Sequence, residues 1–313
     1  KNDCKYCINQ SKRNFTRLEL SPEELAKGFL GYYNRGLVNG LFLSSGISDD
    51  IDSTMEKQIE TISLLRKKYG YDDYIHLKII PGASKDSIKR AMALANRVSI
   101  NIEAATSSGL SELSSTKDYN KDILKRLSWI NSLQHKSTTY PKSTHTTQLI
   151  VGANNETDKE ILSRMEKIYK KSNLKRTYFS AYTPIEETDF KDKEACSTDR
   201  TAKLYNADSL LNQYHYNVKE LIFDENDKLS LTQDPKILAA KNMNIFPVEI
   251  NTAPIRELIR VPGIGVKSAH DIVSIRKQKP FSNKEQLKRL GVVIERADPY
   301  IKIKGEYQTT FDF

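Results

Sequence analysis

The strongest constraint on this chain is a rhythm. Over the first ~180 residues, short apolar runs of strand length alternate with longer segments of helical period. The runs lie at residues 40–44, 74–80, 98–103, 147–152 and 176–182. Between them lie predicted helices at 54–68, 85–96, 121–133 and 158–170. Another helix opens at Ser21-Pro22-Glu23-Glu24, with serine at the N-cap, proline at the first helical position and glutamate three residues on. Apolar runs separated by helices are the pattern of βα units, whose helices cover both faces of a parallel sheet. Five units are too few for a closed eight-stranded barrel, so a partial barrel or an open sheet is expected. In such barrels the chemistry sits at the C-terminal ends of the strands. That singles out the turns Ser44-Ser45-Gly46, Pro81-Gly82-Ala83, Glu103-Ala104-Ala105-Thr106 and Gly152-Ala153-Asn154-Asn155.

Near Pro184 the rhythm breaks. An acidic loop at 186–194 and helical stretches at 200–214 and 234–241 lead to a different kind of segment. The organisation read from this is a barrel over 1–183, a helical extension and linker over 184–250, and a small all-α domain over 251–313. In that last part a short helix with Ile255, Leu258 and Ile259 on its apolar face stops at Val261-Pro262-Gly263-Ile264-Gly265. A second helix follows over 266–277, with Ala269, Ile272, Val273 and Ile275 as its apolar positions. Gly263 and Gly265 let the backbone approach another molecule. Gly265, Val266 and Lys267 place amides at a helix N-terminus, where an anion is favoured, and Lys267 adds a charge. Residues 251–313 hold 12 Lys and Arg against 7 Asp and Glu, five of the nine surplus positive charges of the chain. A polyanion is the expected partner, and contacts of this kind grip phosphate without reading sequence. The pattern resembles the helix-hairpin-helix motif of DNA repair and recombination proteins. Residues 281–287 then suggest a second hairpin packed on the first; a tight turn used only for protein packing is the competing reading.

Three cysteines and no signal-peptide pattern argue against a disulfide scaffold, and for a reducing, cytoplasmic setting. No apolar run approaches the ~20 residues that cross a bilayer, so no membrane partner is expected. Cys4-Lys5-Tyr6-Cys7 is a C-x-x-C, compatible alone with zinc, redox chemistry or coincidence. The five histidines show no metal-ligand spacing, no role is assigned to Cys196, and Tyr178 and Tyr182 could face a substrate, although among 16 tyrosines neither is singled out.

The first residue is Lys1 and not Met, so upstream sequence is expected. With a cysteine immediately before Lys1, the segment Lys1-Asn2-Asp3-Cys4-Lys5-Tyr6-Cys7 resembles the cluster loop of radical S-adenosylmethionine (SAM) enzymes: Cys-x3-Cys-x2-Cys with an aromatic residue before the last cysteine. That family builds a partial (βα)6 barrel whose first strand precedes this loop. Five strands after the loop and one before it make six, so the fold class implied is an α/β barrel of radical SAM type, lacking its first strand, followed by the helix-hairpin-helix domain.

The resemblance implies a 4Fe-4S cluster on Cys4, Cys7 and a third cysteine just before Lys1, with S-adenosylmethionine as second cofactor. It implies that the chain as it stands, with two of three ligands, does not assemble a complete cluster. It implies adenine contacts from Tyr6 and Gly152. Ser44, Ser45 and Gly46 would lie at the methionine amino group, although the acidic third residue of the family's Gly-Gly-Glu turn is absent. Glu103 would meet ribose or methionine, with a helix cap or a salt bridge as the alternative. Lys117 is expected as a solvated lysine rather than a contact of the cofactor carboxylate. The activity implied is hydrogen abstraction by a 5′-deoxyadenosyl radical. Together with the hairpin and with residues 200–208 and 246–253, the chain resembles radical SAM proteins of DNA modification or repair. That implies DNA as substrate and a functional link to a uracil-DNA-glycosylase-like partner. A tRNA-modifying enzyme, and a catalytically inactive DNA-binding protein on a barrel scaffold, remain the alternatives.

Overall fold

The computed structural model describes residues 3–14, 16–136 and 143–306, with the side chains of His135 and Lys136 left aside. Lys1 and Asn2, the first two positions of the cysteine-loop reading, and the side chain of His135 therefore lie outside the described residues. The chain divides into two compact units, Lys1–Thr201 and Ala202–Phe313.

The first unit holds one five-stranded parallel sheet: β1 (Gly40–Leu43), β2 (Tyr74–Lys78), β3 (Arg97–Ser99), β4 (Thr144–Val151) and β5 (Leu174–Ala181). Its spatial order is the chain order, and every neighbouring pair is parallel. A sheet wound in one direction is the barrel arrangement; a doubly wound sheet reverses its order at a switch point. All five strands therefore end on one edge, where the loops singled out above are gathered. Ile75, Leu77, Val98 and Val151 are completely buried, as expected for strands covered by helices.

The helices begin where side chains satisfy free amides. In α1 (Pro22–Tyr33) Ser21 accepts from the Glu24 amide, and the Glu24 carboxylate accepts from the Ser21 amide at 2.8 Å. Asp50 caps α2 (Ile51–Ser63) three residues before the expected start, and its last turn widens into a π-helix at Leu64–Lys68. Helices α3 (Lys85–Leu94) and α6 (Asp158–Lys171) match their predicted spans closely. Thr106 caps an unforeseen helix, α4 (Ser107–Leu113). The segment before α5 (Lys125–Lys136) is a π-helix over Tyr119–Leu124.

The 98–103 run departs most from expectation. Its ladder stops at Ser99, and pairing resumes only at an isolated bridge between Glu103 and Leu149. Between the two, the Thr147 hydroxyl of β4 replaces the backbone ladder, donating to the Ile100 carbonyl at 2.7 Å and accepting from the Ile102 amide at 3.1 Å. Glu103 then has φ 63°, in the left-handed region that residues with a Cβ avoid.

The helix α7 (Thr198–Asn212) leads into the second unit, which carries α8 (Pro235–Lys241), α9 (Ile255–Leu258), α10 (Val266–Arg276), α11 (Lys284–Lys288) and α12 (Ile294–Ala297). Leu258, Val261, Ile264, Ala269, Ile272 and Leu287 lie at the centre of its core. Ile275 points outward at 40% exposure, against its predicted place in the apolar stripe of α10. To the expected helices the structure adds a two-residue parallel pairing, β6 (Val248–Glu249) with β7 (Ile301–Lys302). It ties the segment entering the hairpins to the segment leaving them.

Candidate functional site

The cysteine loop is fastened to the sheet edge through Asp3. Its carboxylate accepts from the Ser114 hydroxyl at 2.6 Å, the Thr116 hydroxyl at 2.7 Å and the Ser115 amide at 2.9 Å, and also from the Ser115 hydroxyl. Burial opposes the charge, but these four donors hold the carboxyl far below its ordinary value. The Lys5 amide adds a bond to the Leu113 carbonyl at 2.9 Å. The loop turns tightly, with the Cys7 amide donating to the Cys4 carbonyl at 2.9 Å. Cys4 is buried and Cys7 half-buried, and both are free thiols. The Asn9 amide points at the Cys7 sulfur from 3.4 Å.

Inside the loop lies a buried polar cluster. The Tyr6 hydroxyl donates to Glu103 Oε2 at 2.8 Å, and Lys117 Nζ pairs with Glu103 Oε1 at 3.4 Å. The side chains of Lys117 and Glu103 are 9% and 4% exposed, so Lys117 is not the solvated lysine expected. It is drawn inward because a buried carboxylate needs a counter-ion. Burial pushes the Glu103 carboxyl up, yet Lys117, Lys78 and the Tyr6 hydroxyl together hold it below its ordinary value. Burial pushes Lys117 down, and Glu103 and Cys4 more than reverse this. Lys117 also donates toward the Cys4 sulfur; burial raises that thiol's pKa, and Lys117 offsets part of the rise. The salt bridge foreseen as the alternative for Glu103 is therefore present, and it stands beside the cysteine loop.

Glu103 is held in its unfavourable backbone by β4. Its amide donates to the Gln148 carbonyl at 3.0 Å, and its carbonyl accepts from the Ile150 amide at 2.9 Å. A strained residue clamped on both sides at a site is a signal of function.

The remaining predicted residues share the edge without joining this cluster. Ser44, Ser45 and Gly46 follow β1, are exposed, and line a cavity of about 540 Å3 that Asn9 also lines. Gly152 follows β4 with φ 86°; a Cβ there would come within 2.6 Å of the Cys196 Cβ and 3.0 Å of its sulfur. Cys196, which the sequence left without a role, thus packs on the Gly152 turn, held by its amide bond to the Tyr182 carbonyl at 2.8 Å. Glu156 was also missed. Its carboxylate accepts from the amides of Ala105 and Thr106 at 2.8 and 2.7 Å and from the Thr106 hydroxyl at 2.6 Å, fastening the β3 turn to the β4 turn. An acidic residue four positions after the strand-end glycine was the available signal.

In the second unit the hairpin forms as predicted. Gly263 has φ 83°, and a Cβ there would lie 2.4 Å from the Val293 carbonyl oxygen. Glycine here is required by the second hairpin, whose Val293 amide donates to the Gly263 carbonyl at 3.0 Å. Gly265 is the N-cap of α10 with no side-chain cap, so the first amides of that helix stay available. Val266 is half-buried and Lys267 exposed.

A radical SAM superfamily model matches residues 1–168, and a helix-hairpin-helix motif model matches residues 243–293. The chain belongs to the radical SAM superfamily. With membership come a 4Fe-4S cluster and S-adenosylmethionine as cofactors. Among solved structures, the radical SAM chain is similar to the FeFe-hydrogenase maturase HydG from Carboxydothermus hydrogenoformans, at 15% identity and TM-score 0.53, over 67% of this chain and 48% of that one. It is also similar to a second HydG crystal structure, a maturase of the [FeFe]-hydrogenase, at 12% identity and TM-score 0.54, over 99% and 81%. This radical SAM chain thus spans about half the length of the first of these, and the likeness is one of fold. No curated protein matches. Among the described residues no helix is long and apolar enough to cross a membrane.

The residues present suit the cofactors. Free thiols on a tight loop are the donors an iron–sulfur cluster takes. That loop is bound to the strand-end edge where a barrel does its chemistry.

Proposed function

We propose that this chain is a radical SAM enzyme that modifies or repairs DNA, its hairpin gripping the substrate backbone. The observation that carries the reading is the joint presence of two parts: a C-x-x-C loop sealed onto the sheet edge at Cys4, Tyr6, Glu103 and Lys117, and an uncapped, glycine-bounded hairpin. Cys4 and Cys7 would supply two thiolates to the cluster, with a third cysteine just before Lys1. When bound, the cluster and S-adenosylmethionine supply a 5′-deoxyadenosyl radical that abstracts hydrogen.

The chain's own groups bind and orient. Asp3 fixes the loop, and Lys117 stabilises negative charge at Cys4. Tyr6 would face adenine while its hydroxyl orients Glu103, whose carboxylate is available to a ribose hydroxyl or an ammonium. Ser44, Ser45 and Gly46 offer hydroxyls and backbone to the methionine end. Gly152 would offer backbone to adenine, while the space its missing Cβ leaves is taken by Cys196. In the second unit Gly263 shapes the hairpin, and Gly265, Val266 and Lys267 present amides and one charge to phosphate. The link to a uracil-DNA-glycosylase-like partner rests on the family resemblance alone.

The test extends the chain upstream through the expected cysteine, reconstitutes it anaerobically with iron and sulfide, and follows 5′-deoxyadenosine release with duplex DNA, tRNA or neither present. Stimulation by DNA is expected. Stimulation by tRNA alone would reassign the substrate. A reconstituted protein with no absorption near about 400 nm and no SAM cleavage would leave a barrel used only as a scaffold.

A further inference from the structure

Beside the hairpin, wholly within the second unit, is a cavity of about 350 Å3, near the small end of the roughly 300–1,000 Å3 of ligand sites. Its wall includes Gly263, Gly265, Tyr214, Asp234, Lys236 and Arg296. Lys236 is the unusual member. It is 7% exposed, yet among the described residues its ammonium has one hydrogen bond, to the Ile264 carbonyl at 2.7 Å between the two hairpin glycines, and one aromatic face, Tyr214 at 4.4 Å. An ammonium has three donors. The nearest carboxylate is already engaged: one oxygen of Asp234 accepts from the amides of Lys236 and Ile237 at 2.8 and 3.3 Å, and the other takes Arg296 at 2.6 Å. When Lys236 is protonated, it and Arg296 against Asp234 leave the cavity one positive charge in excess. A buried cation without its own counter-ion is costly to hold. Here it is held against a surface built to meet a polyanion.

We propose that this cavity takes the terminal phosphomonoester of a nucleic-acid strand, so that the protein recognises a strand end at a nick or gap. The inference deepens the reading of this unit as a DNA-binding module and rests on it. A phosphomonoester is compact and carries acceptors only. Near neutral pH it bears up to two charges, where an internal phosphodiester bears one. An internal phosphate would have to enter and leave the cavity with chain on both sides. A terminal one enters once, and its remaining strand can lie along the outer face of the hairpin at Lys267. Burial, with Arg296 adding to it, lowers the Lys236 pKa to about 7. Asp234 opposes the shift and Arg260 reinforces it. A bound dianion raises that pKa again, so binding takes up a proton. The affinity contributed by Lys236 is then greatest between about pH 6, below which the phosphate loses its second charge, and about pH 7, and falls as the pH rises further.

The test measures binding of the full chain to one nicked duplex carrying, in turn, a 5′-phosphate, a 3′-phosphate or only hydroxyls at the nick. A preference of about tenfold for one phosphorylated end is expected, as for one charge-assisted contact of good geometry; the two phosphate arms tell which end is read. Lys236→Met should abolish the preference, whereas Lys236→Arg should keep part of it. Calorimetry in buffers of different ionisation enthalpy at pH 8 should show proton uptake for the phosphorylated nick alone. Should Lys236→Met fail to fold, equal affinity of the unaltered chain for all three duplexes would still overturn the inference. Equal binding with a salt dependence that Lys267→Ala reduces would refute strand-end recognition while sparing the DNA-binding reading. Absence of binding to any duplex would remove both.

Discussion

The two units bury charge in opposite ways. At the sheet edge the carboxylates of Glu103 and Asp3 are both answered: Glu103 meets Lys117 and Tyr6, and Asp3 meets three hydroxyls and an amide. Beside the hairpin, Lys236 is buried with a carbonyl and a ring for company. The first arrangement spends its polar groups on holding a loop in place before any cofactor arrives. The second keeps donor capacity in reserve for an anion. Preorganisation marks a place where geometry must be reproduced at each turnover. Reserve charge marks a place where a ligand completes the structure.

The sharpest way to break the contrast is to unbalance the sheet edge. Glu103→Gln leaves Lys117 buried without its partner and should destabilise the first unit by about 3–5 kcal/mol, the range for breaking a buried pair. Chemical denaturation reads this directly, and adding Lys117→Met should restore much of the loss. A single variant as stable as the parent would show that the pair is solvated in solution. Next comes Gly263→Ala. Its methyl group meets the Val293 carbonyl oxygen at 2.4 Å on a backbone with φ 83°, and a cost of about 2 kcal/mol or more is expected, read as a lower melting temperature. Lys236→Met should do the reverse and leave the second unit as stable or more so, because it removes an uncompensated charge; marked destabilisation would mean that the Ile264 bond outweighs the burial cost.

Smaller effects follow from Asp3 and Lys267. The folded pKa of Asp3 is depressed, so its contribution is complete above the ordinary aspartate value of about 4 and is lost as the pH falls below it. Protection of the Lys5 amide against hydrogen exchange, relative to its intrinsic rate at each pH, should therefore fall between about pH 4 and pH 2, and should lose this dependence in Asp3→Asn. Lys267→Ala should lower the slope of log affinity against log salt by about 0.9, one phosphate contact, with no change in melting temperature.

Much of this was legible in the chain because each message was local. The capping box at Ser21 and Glu24, the turn glycines Gly263 and Gly265, and the alternation of apolar runs all act within a few residues, so type and position could be read together. Tyr6 and Glu103 were named apart, but nothing in the sequence said that they touch. Lys117 was placed at the surface because a lysine in a polar stretch is usually solvated. What draws it inward is a carboxylate on another loop, and that attraction is tertiary. The run at 98–103 keeps a period of two through Val98, Ile100 and Ile102 and carries no mark of its interruption, which is set from β4 by the Thr147 hydroxyl and the Gln148 and Ile150 backbone. Lys236, after Asp234-Pro235 at an ordinary helix start, carries no local mark at all.

The left-handed backbone of Glu103 has a consequence for how this site can fail. Between the left-handed basin and the right-handed and extended ones lies forbidden ground, so the residue has no intermediate posture. It is either seated with its carboxylate between Lys117 and Tyr6, or turned away from both together. Fraying of β4 at Gln148 or Ile150 should then act as a switch on individual molecules. Damage there would reduce the number of molecules with an intact site in a population, while leaving the site of each remaining molecule unaltered.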